Sequence, residues 1–301
     1  MPKRSFENDE EQEIHNNKQQ RVVSTIVSQF SHVGNKRKCM EDVIISEHFG
    51  VESEKLSFSS LLVCVLDGHG GKSCVHFVAS CFWTLFRKYM LSQNIQDSLS
   101  HALSEIHELW KTEALQHPKP DTSGTTLIAA VIDTEKKIMY VVNIGDSQLV
   151  HVRGSEVKWT SKMDDMDSIE QRDQVRKLST SINTCGTSIH MGRVRRVNGV
   201  MAMSGAIGDL NFPPKKFWDS DRKEVCVGSV SECLIRTFTT TVIEVMSGDK
   251  VILASDGIFD VVDKVKINSL AESNPDFEAR DIANIDKLWL DNIAVIVVQI
   301  K

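Results

Sequence analysis

Short apolar runs rich in β-branched residues recur along the chain, at positions 60–66, 127–132, 138–144, 148–152, 239–245, 251–254 and 293–300. Their length and composition predict strands, and the runs without polar interruption predict burial on both faces. Two stretches step by three and four residues instead. Residues 72–92 do so with Val75, Val78, Phe82, Leu85, Phe86 and Tyr89, and residues 97–115 with Leu99, Leu103, Ile106 and Trp110. These predict amphipathic helices. Weaker helical patterns cover 167–179 and 261–272.

The two clear helices are consecutive, and hairpin-like strands follow them. This order argues against strict βαβ alternation and for stacked sheets covered by helices. Residues 1–21 carry nine charges and little that is apolar, which predicts a solvated, disordered arm ahead of one compact domain over 22–301. The pairs and triplets Lys3-Arg4 and Lys36-Arg37-Lys38 fit either nuclear-import signals or ordinary surface charge.

Charge and cysteine content narrow the function classes. The chain of 301 residues has 35 Lys and Arg against 41 Asp and Glu, a net charge of −6. An acidic balance does not favour wrapping nucleic acid, so no nucleic-acid partner is expected. No apolar run approaches the ~20 residues that span a bilayer, and no apolar leader follows Met1, so neither a membrane partner nor a secretory signal is expected. The seven cysteines are scattered, with no C-x-x-C pair, which predicts free thiols and a cytoplasmic or nuclear location.

The acids carry the candidate chemistry. Asp67 ends an apolar run and opens Asp67-Gly68-His69-Gly70-Gly71; Asp256-Gly257 ends another, with Asp260 three residues on. Asp146 follows Asn143-Ile144-Gly145, Asp291-Asn292 opens the last run, and Glu41-Asp42 opens an early one. Taken singly, an Asp-Gly pair is a common turn. Together, five strand-edge acids would repel one another and raise their pKa values unless a cation neutralised them, and hard ions such as Mg²⁺ or Mn²⁺ take oxygen ligands of this kind.

Four other motifs are weaker. Gly71-Lys72-Ser73 follows a strand, but a phosphate-binding loop would need glycine where Leu66 stands. Cys81 and Arg87 have the spacing of cysteine phosphatases, yet Phe82-Trp83-Thr84-Leu85-Phe86 between them fits a packed helix. Asp165-Met166-Asp167 has no strand before it, and His69-Gly70-Gly71 lacks an accompanying G-x-S-x-G.

A series of blocks then resembles the metal-dependent Ser/Thr protein phosphatases of type 2C. In order they are Lys36 through Asp42, Asp67 through Gly71, Ser123-Gly124-Thr125-Thr126 and Gly145-Asp146-Ser147. Arg196-Val197-Asn198-Gly199, Gly208-Asp209, Ser255 through Asp260 and Asp291 through Val295 follow. The resemblance implies an α+β fold, a four-layer α-β-β-α sandwich with two central, mainly antiparallel sheets. It implies two Mn²⁺ or Mg²⁺ ions, with a weaker third, a metal-bridging hydroxide that hydrolyses phosphoserine and phosphothreonine, phosphoprotein substrates and a monomer. By position, Asp67 and the Gly68 carbonyl, with Asp256, Asp291 and Glu41, match the ligands of the two ions, and Asp42 the acid that holds their coordinated water; Asp146 and Asp260, with Asp256, match the third site. Arg37 matches the phosphate clamp, and His69 the general acid. The sequence departs from the pattern at Gly205, where the family has arginine, and across 161–198, where Met163-Asp164-Asp165-Met166 replaces Asp-His-Lys-Pro. These departures also admit a weakly active or inactive phosphatase-like binding or regulatory module.

Overall fold

The computed structural model describes residues 25–50, 60–116, 121–164, 203–210, 238–287 and 289–301, with short pieces between them. The arm expected over 1–21 lies outside the described residues, as does most of 161–198 beyond Asp164.

Two antiparallel sheets stack face to face. One has strand order β1-β12-β11-β7-β8, formed by β1 (Thr25–His32), β7 (Gln148–Arg153), β8 (Glu156–Thr160), β11 (Lys250–Ala254) and β12 (Ile293–Ile300). The other runs through β2 (Asp42–Phe49), β3 (Ser60–His69), β5 (Leu127–Asp133), β6 (Ile138–Ile144) and β10 (Thr240–Glu244). The end of β3 continues into two short strands, β4 (Gly124–Thr125) and β9 (Ile207–Gly208). The long helices α1 (Ser73–Met90) and α2 (Ile95–Gln116) cover the outer face of the second sheet. Three shorter helices, α3 (Asp256–Phe259), α4 (Lys264–Ser273) and α5 (Ala279–Asn284), cover the first. The fold is the α-β-β-α sandwich that the sequence resemblance implies.

The alternation of side chains along a strand explains the unbroken apolar runs. In β3, Leu61, Val63 and Val65 pack between the sheets, and Leu62, Cys64 and Leu66 pack under α1 and α2. In β12, Ala294, Ile296 and Val298 face the opposite sheet, and Ile293, Val295 and Val297 face the shorter helices. Each central strand therefore serves two apolar interfaces at once. Cys81 and Arg87 both lie in α1, with buried Phe82 and Phe86 between them, so that stretch is a packed helix. Cys39, Cys64, Cys74 and Cys81 are free thiols. No helix among the described residues is long and apolar enough to cross a membrane.

The edge strands β1 and β8, the two-residue strands β4 and β9 and the short helices α3 and α5 escaped the sequence reading. β1 and β8 are edge strands of mixed polarity, and α5 has only six residues, anchored by a reciprocal capping box between Glu278 and Asp281. The helix expected at 261–272 begins at Lys264, because the Asp263 side chain accepts from the Lys266 amide and caps it.

At the end where β12 finishes, a buried polar knot joins three segments. Asp249 accepts from His151 Nε2 at 2.8 Å, from Arg153 Nε and Nη2 at 2.8 Å each, and from the Met246 amide at 2.7 Å. Burial alone would raise its pKa, but these bonds hold it below the usual carboxylate value. Asp249→Ala leaves a buried histidine without its partner. We expect a loss of about 2–3 kcal/mol in urea unfolding, less than the ~3–5 of a fully buried pair because Arg153 reaches solvent. A change below ~0.5 kcal/mol, the size of an ordinary surface substitution, would show that the knot adds little.

Candidate metal centre

Antiparallel pairing brings the starts of β2 and β12 and the ends of β3, β6 and β11 to one end of the sandwich. Asp42 and Asp67 are direct cross-strand partners. Like charges opposite each other destabilise a sheet, so this pairing marks a place where something else must balance the charge. Asp146 follows β6 at the Gly145 turn (φ 98°), and Asp256 follows β11 and opens α3. Oxygen atoms of Asp67, Asp146 and Asp256 all lie within 4.8 Å of one another.

Tight backbone contacts fix these acids. The Ser255 hydroxyl donates to Asp42 Oδ2 at 2.8 Å and accepts from the Ala294 amide at 3.0 Å, so it ties the two sheets together beneath the cluster. The Asp67 carbonyl accepts from the Thr126 amide at 2.9 Å and from the Thr125 hydroxyl at 3.0 Å. The Gly68 amide donates to the Glu41 carbonyl at 3.1 Å, and a Cβ at Gly68 would meet that same oxygen at 2.6 Å. A Cβ at Gly257 would overlap the Asn292 carbonyl, which is why glycine follows Asp256.

The electrostatics follow from burial and crowding. Burial, then the charges of Asp42, Asp256 and Asp146, push Asp67 well above the carboxylate range. Asp42 rises to about 7, chiefly by burial, with Asp256 and Asp291 adding repulsion. Asp146 also rises to about 7, through burial and the Asp256 charge. Burial and the Asp260 charge raise Asp256, and burial with Asp291 raises Asp260. Oδ1 of Asp42 and Oδ1 of Asp146 are buried with no hydrogen-bond partner. Convergent, crowded carboxylates with orphaned oxygens are the donor set a hard divalent cation takes, so the residues present fit such an ion.

Asp291 and Arg37 form the rim. The guanidinium grips Asp291 with Nη2 at 2.6 Å from Oδ2 and Nε at 2.6 Å from Oδ1, and Arg37 is half exposed. Asn292, beside it, works as a clasp: its amide group donates to the Val33 and Cys39 carbonyls, and its Oδ1 accepts from the Glu41 amide. The loop carrying Arg37 and Glu41 is thus laced to the start of β12. The charges of Glu41 and Asp67 both act on Arg37, which places them on the same side of the cleft.

His69 lies at the edge of the cluster. Its Nε2 is 2.8 and 2.9 Å from the two oxygens of Asp209, and its Nδ1 is buried without a partner. Burial opposes protonation of the ring, but Asp209 outweighs it and leaves the pKa raised. Asp164 braces the ligand turn: its Oδ2 accepts from the Gly145 amide at 3.1 Å and its Oδ1 from Gln171 at 2.7 Å.

The structure thus gathers Asp42, Asp67, Asp146 and Asp256 at one mouth, with Gly68, Glu41, Asp260, Asp291, Arg37 and His69 around it. Ser255, Asn292, Asp164 and Asp209 complete the site, and the sequence reading gave them no role. Asp165-Met166-Asp167 lies outside the described residues.

The family model for Protein phosphatase 2C matches residues 26–285. The chain belongs to the protein phosphatase 2C family. A rice (Oryza sativa subsp. japonica) relative, probable protein phosphatase 2C member 13, mitochondrial, is 26% identical over 277 residues, covering 90% of this chain and 67% of its own length. Two other relatives named probable protein phosphatase 2C 59, from rice and Arabidopsis thaliana, are covered over 60% and 63% of their lengths, so the chain spans less than two thirds of these. Among solved structures, a Caenorhabditis elegans sex determining protein superimposes with TM-score 0.70 at 21% identity, over 91% of this chain and 64% of that one. The catalytic domain of serine threonine protein phosphatase PstP, in complex with two manganese ions, superimposes with TM-score 0.58 at 19% identity, over 92% and 98%. The sandwich fold is therefore shared with both solved structures, and in this chain the acid-lined mouth is where the two sheets end.

Proposed function

We propose that this protein phosphatase 2C domain hydrolyses phosphoserine and phosphothreonine in proteins and needs Mn²⁺ or Mg²⁺ to do so. The observation that carries the reading is the convergence of Asp67, Asp146 and Asp256 within 4.8 Å, half-buried and short of counter-charge. The two manganese ions of the PstP catalytic domain support it. Asp67, the Gly68 carbonyl, Asp256, Asp291, Glu41 and Asp42 would hold two ions, and Asp146 with Asp260 a third. Bound ions supply a water acidic enough to lose its proton near neutral pH, and positive charge opposite the phosphoryl oxygens.

The chain's own groups do the rest. Arg37 commits only part of its donor fork to Asp291 and offers the remaining N–H groups to an anionic phosphate at the rim. His69 is the group placed to give a proton to the departing seryl or threonyl oxygen. Burial of Asp42 and Asp67 at the floor keeps bulk solvent from screening these charges.

A second reading has its own observation. Gly205 stands in place of the family's arginine, and its carbonyl lies 3.3 Å from where a Cβ on Gly145 would be, so the substitution falls directly against the ligand turn. A phosphatase-like module that binds phosphoproteins with little turnover would fit that change. Phosphate release from a phosphothreonine peptide, measured against Mn²⁺ concentration, separates the two. Release that rises with Mn²⁺ and stops with EDTA supports hydrolysis; Mn²⁺ binding without release supports the module. Full activity in EDTA contradicts the metal-dependent reaction.

A further inference from the structure

We propose that Asp209 is a positioning residue that fixes the ring of His69, so that Nδ1 and not Nε2 exchanges protons with the reacting oxygens. The inference deepens the phosphatase reading and rests on it. Three short strand ends build the arrangement. His69 pairs with Gly124, and Gly124 pairs with Gly208, so the histidine and Asp209 sit on either side of a glycine. A Cβ at Gly124 would stand 2.5 Å from His69 Nε2 and closer still to Asp209 Oδ2. The two side chains meet only because that position has none.

Asp209 is tightly placed. It is fully buried and left-handed, with φ 54°, a conformation that disfavours side chains other than Asn and Asp. Its amide is held by the Ser123 carbonyl at 3.1 Å, and the Ser123 hydroxyl in turn receives the Cys74 amide at the start of α1. A left-handed turn that suits aspartate, held by surrounding bonds and presenting both carboxylate oxygens to His69 Nε2, indicates a purpose beyond packing. An ionised carboxylate only accepts hydrogen bonds, so Nε2 must carry hydrogen toward it. Nδ1 is then the free nitrogen, and it is the buried atom with no partner in the protein.

In the reaction, a water oxygen forms the new bond to phosphorus and the ester P–O bond breaks. The electron pair stays on the seryl or threonyl oxygen, which takes the proton from His69 Nδ1. The proton that the attacking water loses balances the one that the alcohol gains, and the ring is recharged from solvent.

The test compares two substrates. A phosphothreonine peptide leaves as an alkoxide and needs the proton; p-nitrophenyl phosphate leaves as a stable phenolate and does not. With Mn²⁺ present, Asp209→Ala should lower kcat on the peptide by about 10²-fold, the range of general-acid catalysis, with KM little changed. The aryl phosphate should fall no more than a few-fold. In a His69→Ala background the second substitution should add nothing. Nitrogen-15 NMR of the metal-free protein supplies a readout independent of turnover: neutral His69 should carry its hydrogen on Nε2 in the parent and lose that fixed tautomer in Asp209→Ala. Gly124→Ala, whose methyl would push the two side chains apart, should reproduce both effects with His69 and Asp209 themselves unsubstituted. Equal losses on both substrates, or ring signals unmoved by Asp209→Ala, overturn the proposal. If the parent protein releases phosphate from neither substrate, the phosphatase reading fails and the NMR result alone decides the positioning claim.

Discussion

Asp67→Asn should lower Mn²⁺-dependent phosphate release from a phosphothreonine peptide by at least ~10³-fold, since metal ions supply several kcal/mol of charge stabilisation in such reactions. Asp256→Asn should do the same. Both side chains come from the ends of central strands, both are half-buried, and both belong to the group whose oxygens lie within 4.8 Å. The amide keeps the shape and removes the charge that an ion needs. The same substitution should affect stability in the opposite sense. Asp67 is crowded by Asp42, Asp256 and Asp146, so removing its charge relieves repulsion in the metal-free fold. The metal-free thermal midpoint of Asp67→Asn at pH 8 should therefore exceed that of the parent, a familiar trade between activity and stability. Loss of activity together with a lower midpoint would point to misfolding; unchanged activity would remove Asp67 from the metal centre.

The second large effect is on stability against pH. Asp42 and Asp146 titrate near pH 7 in the folded protein, against an ordinary carboxylate value near ~4 in the unfolded chain. Between these values the folded state holds protons that the unfolded state has released. Stability from these groups therefore falls as pH rises through that window, and the whole penalty is present above pH 7. A shift of this size in one group corresponds to roughly 4 kcal/mol, an upper figure where neighbouring acids share protons. In chelator, the thermal midpoint should drop by several degrees between pH 5.5 and pH 8, at the ~2–4 °C per kcal/mol usual for a domain near this size. Saturating Mn²⁺ should reverse the drop, because ions that bind the folded state alone stabilise it by mass action. Asp146→Asn should flatten the slope in chelator. A midpoint that rises with pH in the metal-free protein would contradict the crowding argument.

These effects were legible in the sequence to unequal degrees. The central strands were plain because residues such as 61–66 and 293–298 face apolar neighbours on both sides, which leaves no polar position to break the run. The edge strands β1 and β8 were not, since each turns one edge to solvent and mixes Ser, Gln, Lys and Glu among its apolar residues. Asp67, Asp146 and Asp256 could be picked out because an acid next to glycine at the end of an apolar run is conspicuous. That they converge could not, since spacing along the chain says nothing about which strand ends share a mouth. Asp209 was visible only as part of a Gly-Asp pair; its partner is 140 positions away, and the contact depends on a missing side chain at Gly124. The bidentate grip of Arg37 on Asp291, 254 positions apart, was hidden for the same reason. Lys36-Arg37-Lys38 reads as a solvated triplet until Asn292 ties its loop to the last strand.

Manganese soaked into crystals of the protein, located by its anomalous scattering, tests the central claim most directly. The account predicts strong peaks among the carboxylates of Asp67, Asp256 and Asp146, absent from Asp67→Asn crystals grown alike. Peaks confined to surface carboxylates, with that mouth empty at saturating Mn²⁺, would contradict it.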